Sequence, residues 1–223
     1  MLKVSVRASP SEKREAARIV QEEWDWKWRT GFHGRWADRP APPEVAEAVA
    51  SGWLPPTGRM VDLGCGTAEI AAWFARRGYH ATAIDIAQAA VERAAEKHRA
   101  LADAMDFVAL DLSTHSLPGR TFDILVDRGC LHQIPLPLCA DYARNVAAMA
   151  VPGAKMILFM KAFRDGRPFG DPEEAKLRTI WTERILGAHF ELERAEPANL
   201  NPDSDDNPLP GMAFWLTRRG PQR

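Results

Sequence analysis

Several large protein classes are excluded by what this sequence has little of. It has three cysteines, Cys65, Cys130 and Cys139, an odd number without the paired spacing of a metal site. That argues against a disulfide-stapled scaffold or a zinc module and for a reducing compartment, where each thiol is a small buried hydrophobe. No apolar run approaches the ~20 residues of a membrane helix. Met1 to Arg7 lacks the apolar core of a secretory signal. Lysine is scarce, seven against 22 arginines, and the formal net charge is −1, so no global field favours nucleic acid or an anionic membrane. There is no basic stripe, internal repeat or low-complexity tract. These absences predict a cytoplasmic protein that works without nucleic acid, membrane or metal; monomer and homodimer are both open. The 223 residues, 46% hydrophobic and 26% charged, suit one α/β domain with an appendage.

The chain is organised around Arg59 to Asp85. Met60 to Leu63 is short and mostly apolar, as a buried parallel strand should be. Gly64 and Gly66, either side of Cys65, make a tight turn that lets a ligand approach bare backbone. Ala68 to Arg77 has helical spacing, with Gly78 at its C-cap, and a second strand ends on Asp85. This is a βαβ unit whose terminal acid is placed to accept hydrogen bonds from ribose hydroxyls. The dinucleotide fingerprint wants Gly or Ala where Glu69 stands, and the charge of Asp62 would repel a pyrophosphate. S-adenosylmethionine, with a ribose, an ammonium and a sulfonium but no phosphate, suits these residues better. The segment resembles the first motif of class I methyltransferases, Asp-x-Gly-x-Gly followed by an acid ending the second strand.

Beyond Asp85 helices and strands alternate. Helices are predicted over Ala87–Ala100, Pro135–Met149 and from Pro172 through Ile185. Strands are predicted at Met105–Leu110, Phe122–Asp127, Lys155–Met160, Phe190–Arg194 and Met212–Leu216. The pattern predicts a Rossmann-like, doubly wound, seven-stranded, mostly parallel sheet with one antiparallel strand and helices on both faces. Upstream, Ser11 is the expected N-cap of a helix leading to Trp24, Trp26 and Trp28, followed by Phe32, His33 and Trp36. So many aromatics require a cover: core, ligand or partner. Pro43 opens a further helix. Pro197–Pro210 reads as an acidic loop.

Ligands of open α/β sheets bind beyond the carboxyl ends of the strands. That rule directs Asp127, Arg128 and His132 after the fourth strand, and Asp111 after the third, toward the cofactor or its substrate. Ile86 and Leu112 are placed to sandwich the adenine. With these residues in view, the chain resembles the thiopurine S-methyltransferase family, which also holds halide and thiol methyltransferases. The resemblance lies in Trp24-x-x-x-Trp28 with Gly31-Phe32-His33, in Asp127-Arg128-Gly129, in Tyr142-Ala143 with Pro152-Gly153, and in Gly166-Arg167-Pro168-Phe169. It implies that residues 1–43 form a helical, aromatic lid and 44–223 the methyltransferase domain. Trp24 would cover the cofactor and Phe32 touch substrate, with Trp28, His33 and Phe169 as further substrate-side candidates and Arg128 lining the active site. The implied reaction is in-line methyl transfer from S-adenosylmethionine to a small-molecule thiol or other soft nucleophile. Arg128 would favour the thiolate and His132 take the proton. A small-molecule N- or O-methyltransferase and a non-catalytic cofactor-binding module are the alternatives.

Overall fold

A computed structural model of the chain describes residues 8–162, 170–201 and 209–220. In chain order it contains α1 (Pro10–Arg29), α2 (Pro43–Ala50), β1 (Arg59–Leu63), α3 (Glu69–Ala75), β2 (His80–Asp85), α4 (Gln88–Lys97), β3 (Met105–Ala109) and β4 (Phe122–Arg128). Then follow α5 (Cys139–Met149), β5 (Ala150–Lys161), α6 (Pro172–Leu186), β6 (Phe190–Asn199) and β7 (Pro210–Arg218). The strands form one sheet in the order β3-β2-β1-β4-β5-β7-β6. β7 runs antiparallel to both of its neighbours, while β1 to β5 pair in parallel. This is the expected seven-stranded sheet with its one reversed strand.

Strand periodicity explains why both faces are covered. Successive side chains point to opposite sides. Met60, Ile124, Val126, Ile157, Phe159 and Trp215 pack on one side with Val45 of α2, Phe74 of α3 and Ala94 of α4. Val61, Leu63, Leu125, Met156, Leu158 and Phe214 pack on the other with Tyr142 and Val146 of α5 and Leu186 of α6. Burying a side chain such as Phe159 or Phe214 stabilises the fold by ~1.5–3 kcal/mol relative to exposure. With two apolar faces, the strands show continuous apolar runs, the pattern read at Met60–Leu63 and Phe122–Asp127.

Three local expectations need correction. The N-cap of α1 is Ser9, not Ser11: Ser9 accepts from the Glu12 N–H, Glu12 reaches back to the Ser9 N–H, and Pro10 takes the first helical position. Pro152 and Gly153 lie within β5 rather than before it, where the register with β4 shifts. Pro197–Pro210 is not a loop throughout. Pro197–Asn199 extend β6 and Pro210 begins β7, with Pro197 opposite Met212. β6 is the edge strand, where a missing N–H is tolerated.

α1 lies across the mouth of the sheet and carries the tryptophans. Trp28, 5% exposed, packs on Ala87 and Ala90 at the start of α4. An ion pair of 2.6 Å from Lys13 to Asp141 joins α1 to α5. It is partly exposed and contributes at most ~1 kcal/mol, so the apolar contact of Trp28 dominates the docking of α1.

Candidate functional site

β1 and β4 are adjacent, and the chain departs from them in opposite directions along the sheet, to β2 and to β5. A crevice opens beyond the carboxyl ends of strands at such a switch point. Here it is a cavity of about 660 Å³.

Its first end is built from the β1–α3 turn and the tip of β2. The N–H groups of Gly64 and Cys65 both bond to the Ile84 carbonyl at 2.8 Å, tying the turn to β2. Gly64 (φ 72°) and Gly66 (φ 54°) adopt the left-handed region. A Cβ on Gly64 would fall 2.6 Å from Cβ of Cys130, and one on Gly66 would fall 3.3 Å from the Trp28 ring. Close approach thus adds to conformation at Gly64, while at Gly66 conformation leads and a side chain would crowd the Trp28 ring. Asp85 is buried, and its two oxygens accept N–H bonds from Gly66 and Ala87, each 2.9 Å. Burial raises its pKa. Asp62 accepts from the Ala71 N–H at 3.2 Å. Burial pushes the Asp62 carboxyl up to about 7 despite that bond, with the charges of Asp127 and Asp85 adding to the rise.

Trp24, Trp28, Asp62, Gly64, Cys65, Gly66, Asp85, Ile86, Asp111 and Leu112 all line this cavity. Asp111 also organises its own turn, its Oδ1 accepting from the Ser113 N–H (2.8 Å) and hydroxyl (2.7 Å). Asp127 lies apart from the group. It is 0% exposed beneath the floor, and its carboxylate accepts from the Cys130 and Leu131 N–H groups and from the Tyr142 hydroxyl at 2.5 Å. Its geometry fixes the loop after β4 rather than presenting an oxygen to a ligand.

The second end takes Arg128 and His132, with Gln133, Ile134, Lys161, Leu200 and Leu209. Arg128 does not pair with Asp127. Its guanidinium donates to the carbonyls of Pro40 (2.6 Å) and Leu200 (3.1 Å), and Arg39 donates to the same Leu200 carbonyl at 3.0 Å. The residue thus joins the segment after α1 to the segment after β6. His132 Nδ1 is buried without a hydrogen-bond partner. Burial, then the nearby charges of Arg178 and Lys161, push its pKa down to about 3. A neutral imidazole with so acidic a conjugate acid is a poor proton acceptor, though Nδ1 can still make a hydrogen bond.

Three substrate-side expectations are displaced. Phe32 is 39% exposed, outside the cavity, with its ring against Trp36 at 5.6 Å and Trp26 at 6.0 Å. His33 is buried and stacks on Trp28 at 4.5 Å, outside the cavity lining. Trp28 itself sits against Gly66, at the glycine end. Phe169, with Gly166, Arg167 and Pro168, lies outside the described residues. Lys161 was not anticipated. The carboxyl-end rule that selects Asp85 and Arg128 selects Lys161 too, because it is the last residue of β5.

The glycine end fits S-adenosylmethionine. It offers bare backbone at Gly66, a carboxylate at the end of β2, apolar Ile86, Leu110 and Leu112, and a buried acid at Asp62. Among the described residues, no group of three His, Cys, Asp or Glu could hold a metal ion, and no helix is long and apolar enough to cross a membrane.

Comparison with known proteins agrees with this geometry. Residues 60–153 match the family described as a methyltransferase domain. The 2-heptyl-1-hydroxyquinolin-4(1H)-one methyltransferase of Mycobacteroides abscessus is 26% identical over 76% of this chain and 74% of its own length. A thiopurine S-methyltransferase of Vibrio cholerae is 26% identical over 72% of this chain and 80% of its own. In fold, the chain is similar to the crystal structure of Burkholderia thailandensis 1,6-didemethyltoxoflavin-N1-methyltransferase with bound 1,6-didemethyltoxoflavin and S-adenosylhomocysteine. That match has a TM-score of 0.71 at 22% identity, covering 96% of this chain and 94% of the other. The sheet order, the glycine turn facing a buried Asp85 and the matched domain together support one reading, a class I S-adenosylmethionine-dependent methyltransferase.

Proposed function

We propose that this enzyme moves a methyl group in line from S-adenosylmethionine to a small-molecule thiol or other soft nucleophile, giving S-adenosylhomocysteine. The observation that carries the reading is a single cavity running from Gly66 and Asp85 to His132 and Lys161. Donor and acceptor can therefore meet without crossing bulk water. The bound cofactor supplies a methyl group already activated as a sulfonium. The chain's own task is to align the acceptor and exclude water, the two contributions that dominate when no bond needs activating.

Asp85 would hold the ribose, Ile86 and Leu112 the adenine faces, and Asp62 would meet the ammonium with Gly64 and Cys65 alongside. Trp24 and Trp28, from the 1–43 segment, would cover the donor. Arg128 would keep the cover seated through its two carbonyl bonds, and its charge would favour an ionised acceptor. His132 would orient the acceptor through Nδ1. A small-molecule N- or O-methyltransferase is the second reading, favoured by the relative named for a hydroxyquinolone and the fold neighbour named for an N1 methylation.

A screen with labelled cofactor over thiols, halide, aryl amines, phenols and N-hydroxy heteroaromatics separates these readings; methylation of amines alone would displace the thiol assignment. The Arg128 role predicts that Arg128→Ala lowers kcat/KM by about 10- to 100-fold, as loss of alignment does, while calorimetric affinity for S-adenosylmethionine changes little. Equal losses in both would make Arg128 a cofactor ligand instead.

A further inference from the structure

The acceptor end differs from the rest of the cavity in charge. Every carboxylate lining the cavity comes from residues 38 to 111, namely Asp38, Asp62, Glu69, Asp85 and Asp111. The wall contributed from residue 128 onward holds none among the described residues, yet it carries Arg128 and Lys161. Among the described lysines, two have no carboxylate within ion-pair distance, Lys161 and the exposed Lys176 of α6, and of these two Lys161 lines the cavity. Lys13, Lys27 and Lys155 lie 2.6, 2.6 and 2.9 Å from carboxylates, and Lys97 bridges Asp38 and Glu69. The half-buried Lys161 ammonium has no such partner among the described residues, although it ends a central strand. A cation in that position, beside a neutral imidazole with an unpartnered Nδ1, leaves a compensating charge to be supplied by whatever enters.

We infer that Lys161 is the counter-ion of the methyl acceptor, so that the enzyme binds its acceptor as an anion: an ionised thiol, phenol or N-hydroxy group. This rests on the methyl-transfer reading above and adds the charge state of the acceptor to it. The acceptor loses its proton to solvent before it binds. Its lone pair then forms the bond to the methyl carbon, and the carbon–sulfur bond of the donor breaks with its electrons staying on sulfur. Anion and sulfonium cation give two neutral sulfur or ether products, so no base is needed during transfer. A protonated amine meets Arg128 and Lys161 and is repelled.

The test uses the full chain with thiophenol and aniline as paired anionic and neutral acceptors. With thiophenol, Lys161→Met is expected to raise KM about tenfold, as loss of a charge-assisted contact does, with kcat little changed. Lys161→Arg should restore KM, because charge rather than shape is at stake. Calorimetric affinity for S-adenosylmethionine should be the same in all three proteins, which separates a fold defect from a lost contact. The inference is overturned if aniline is the better acceptor, if Lys161→Met leaves the thiophenol KM in place, or if neither acceptor is methylated although the cofactor binds. Failure to bind S-adenosylmethionine at all would instead remove the methyltransferase reading on which it stands.

Discussion

The two ends of the cavity are built differently. The donor end is local in sequence: Asp62, Gly64, Gly66 and Asp85 fall within one βαβ unit, and backbone hydrogen bonds set their geometry. The acceptor end is assembled from a distance. Arg128 with His132, Lys161 and Leu200 come from three segments, and Arg128 links Pro40 to Leu200 across 160 residues of chain. A ligand common to a whole class can be held by a fixed local device. The varied partner of the reaction meets side chains that can be exchanged one at a time without disturbing the sheet.

The largest expected effect falls on the donor end. Asp85→Ala removes the proposed ribose acceptor and leaves the Gly66 and Ala87 N–H groups without their partner. Charge-assisted bonds of this kind are worth ~1.5–3 kcal/mol each, so affinity for S-adenosylmethionine should fall at least about 100-fold by calorimetry. Wild-type affinity in the variant would show that ribose is held elsewhere. The acceptor end should be unaffected, which circular dichroism and retained binding of an acceptor can check.

That asymmetry also accounts for what could be read in advance. The turn at Gly64–Gly66, the acid at Asp85 and the alternating strands were legible because each follows from local spacing and twofold or 3.6-fold periodicity. The reversed final strand followed from the terminal β-β pair. Phe32 and His33 lie outside the cavity lining, which sequence spacing does not show because it does not say which side of a short 3-10 turn faces the cavity; here Trp28 takes the inner position and His33 stacks behind it. Asp127 lies beneath the cavity floor, a placement the sequence could not show because a buried acid that caps a loop and a cavity acid have the same signature at a strand end. The Ser9 cap was visible as Ser-Pro-Ser-Glu, with Glu three residues after the cap, but Ser11 competes for the same role on spacing alone.

A second prediction concerns acid–base behaviour at the donor end. Asp62 has a folded-state pKa of about 7 against ~3.9 in an unfolded chain. The folded state therefore binds the proton more tightly. Its contribution to stability is complete below about pH 4 and is lost as pH rises through about 7. Asp62→Asn cannot titrate. In urea unfolding of the cofactor-free protein, the stability difference between variant and wild type should shift toward the variant by about 3 kcal/mol from pH 4.5 to pH 8. Asp127, raised by burial to about 6, titrates in both proteins and largely cancels. A flat difference would mean that Asp62 is solvated in the free enzyme.

The boundary between the two ends runs through α1, and Trp24 decides where. Its ring meets Trp36 edge-on at 5.6 Å and carries the Lys27 ammonium 4.1 Å above it. Trp24→Ala should weaken S-adenosylmethionine binding by about two- to tenfold, the loss of one aromatic contact of ~0.5–1.5 kcal/mol, with the thiophenol KM unchanged. The opposite split, an unchanged cofactor affinity and a raised acceptor KM, would assign the α1 cover to the acceptor. Because Trp28 already fixes α1 against α4, truncation at Trp24 should remove a contact to the ligand without undocking the helix, so either outcome reports on the ligand that Trp24 meets.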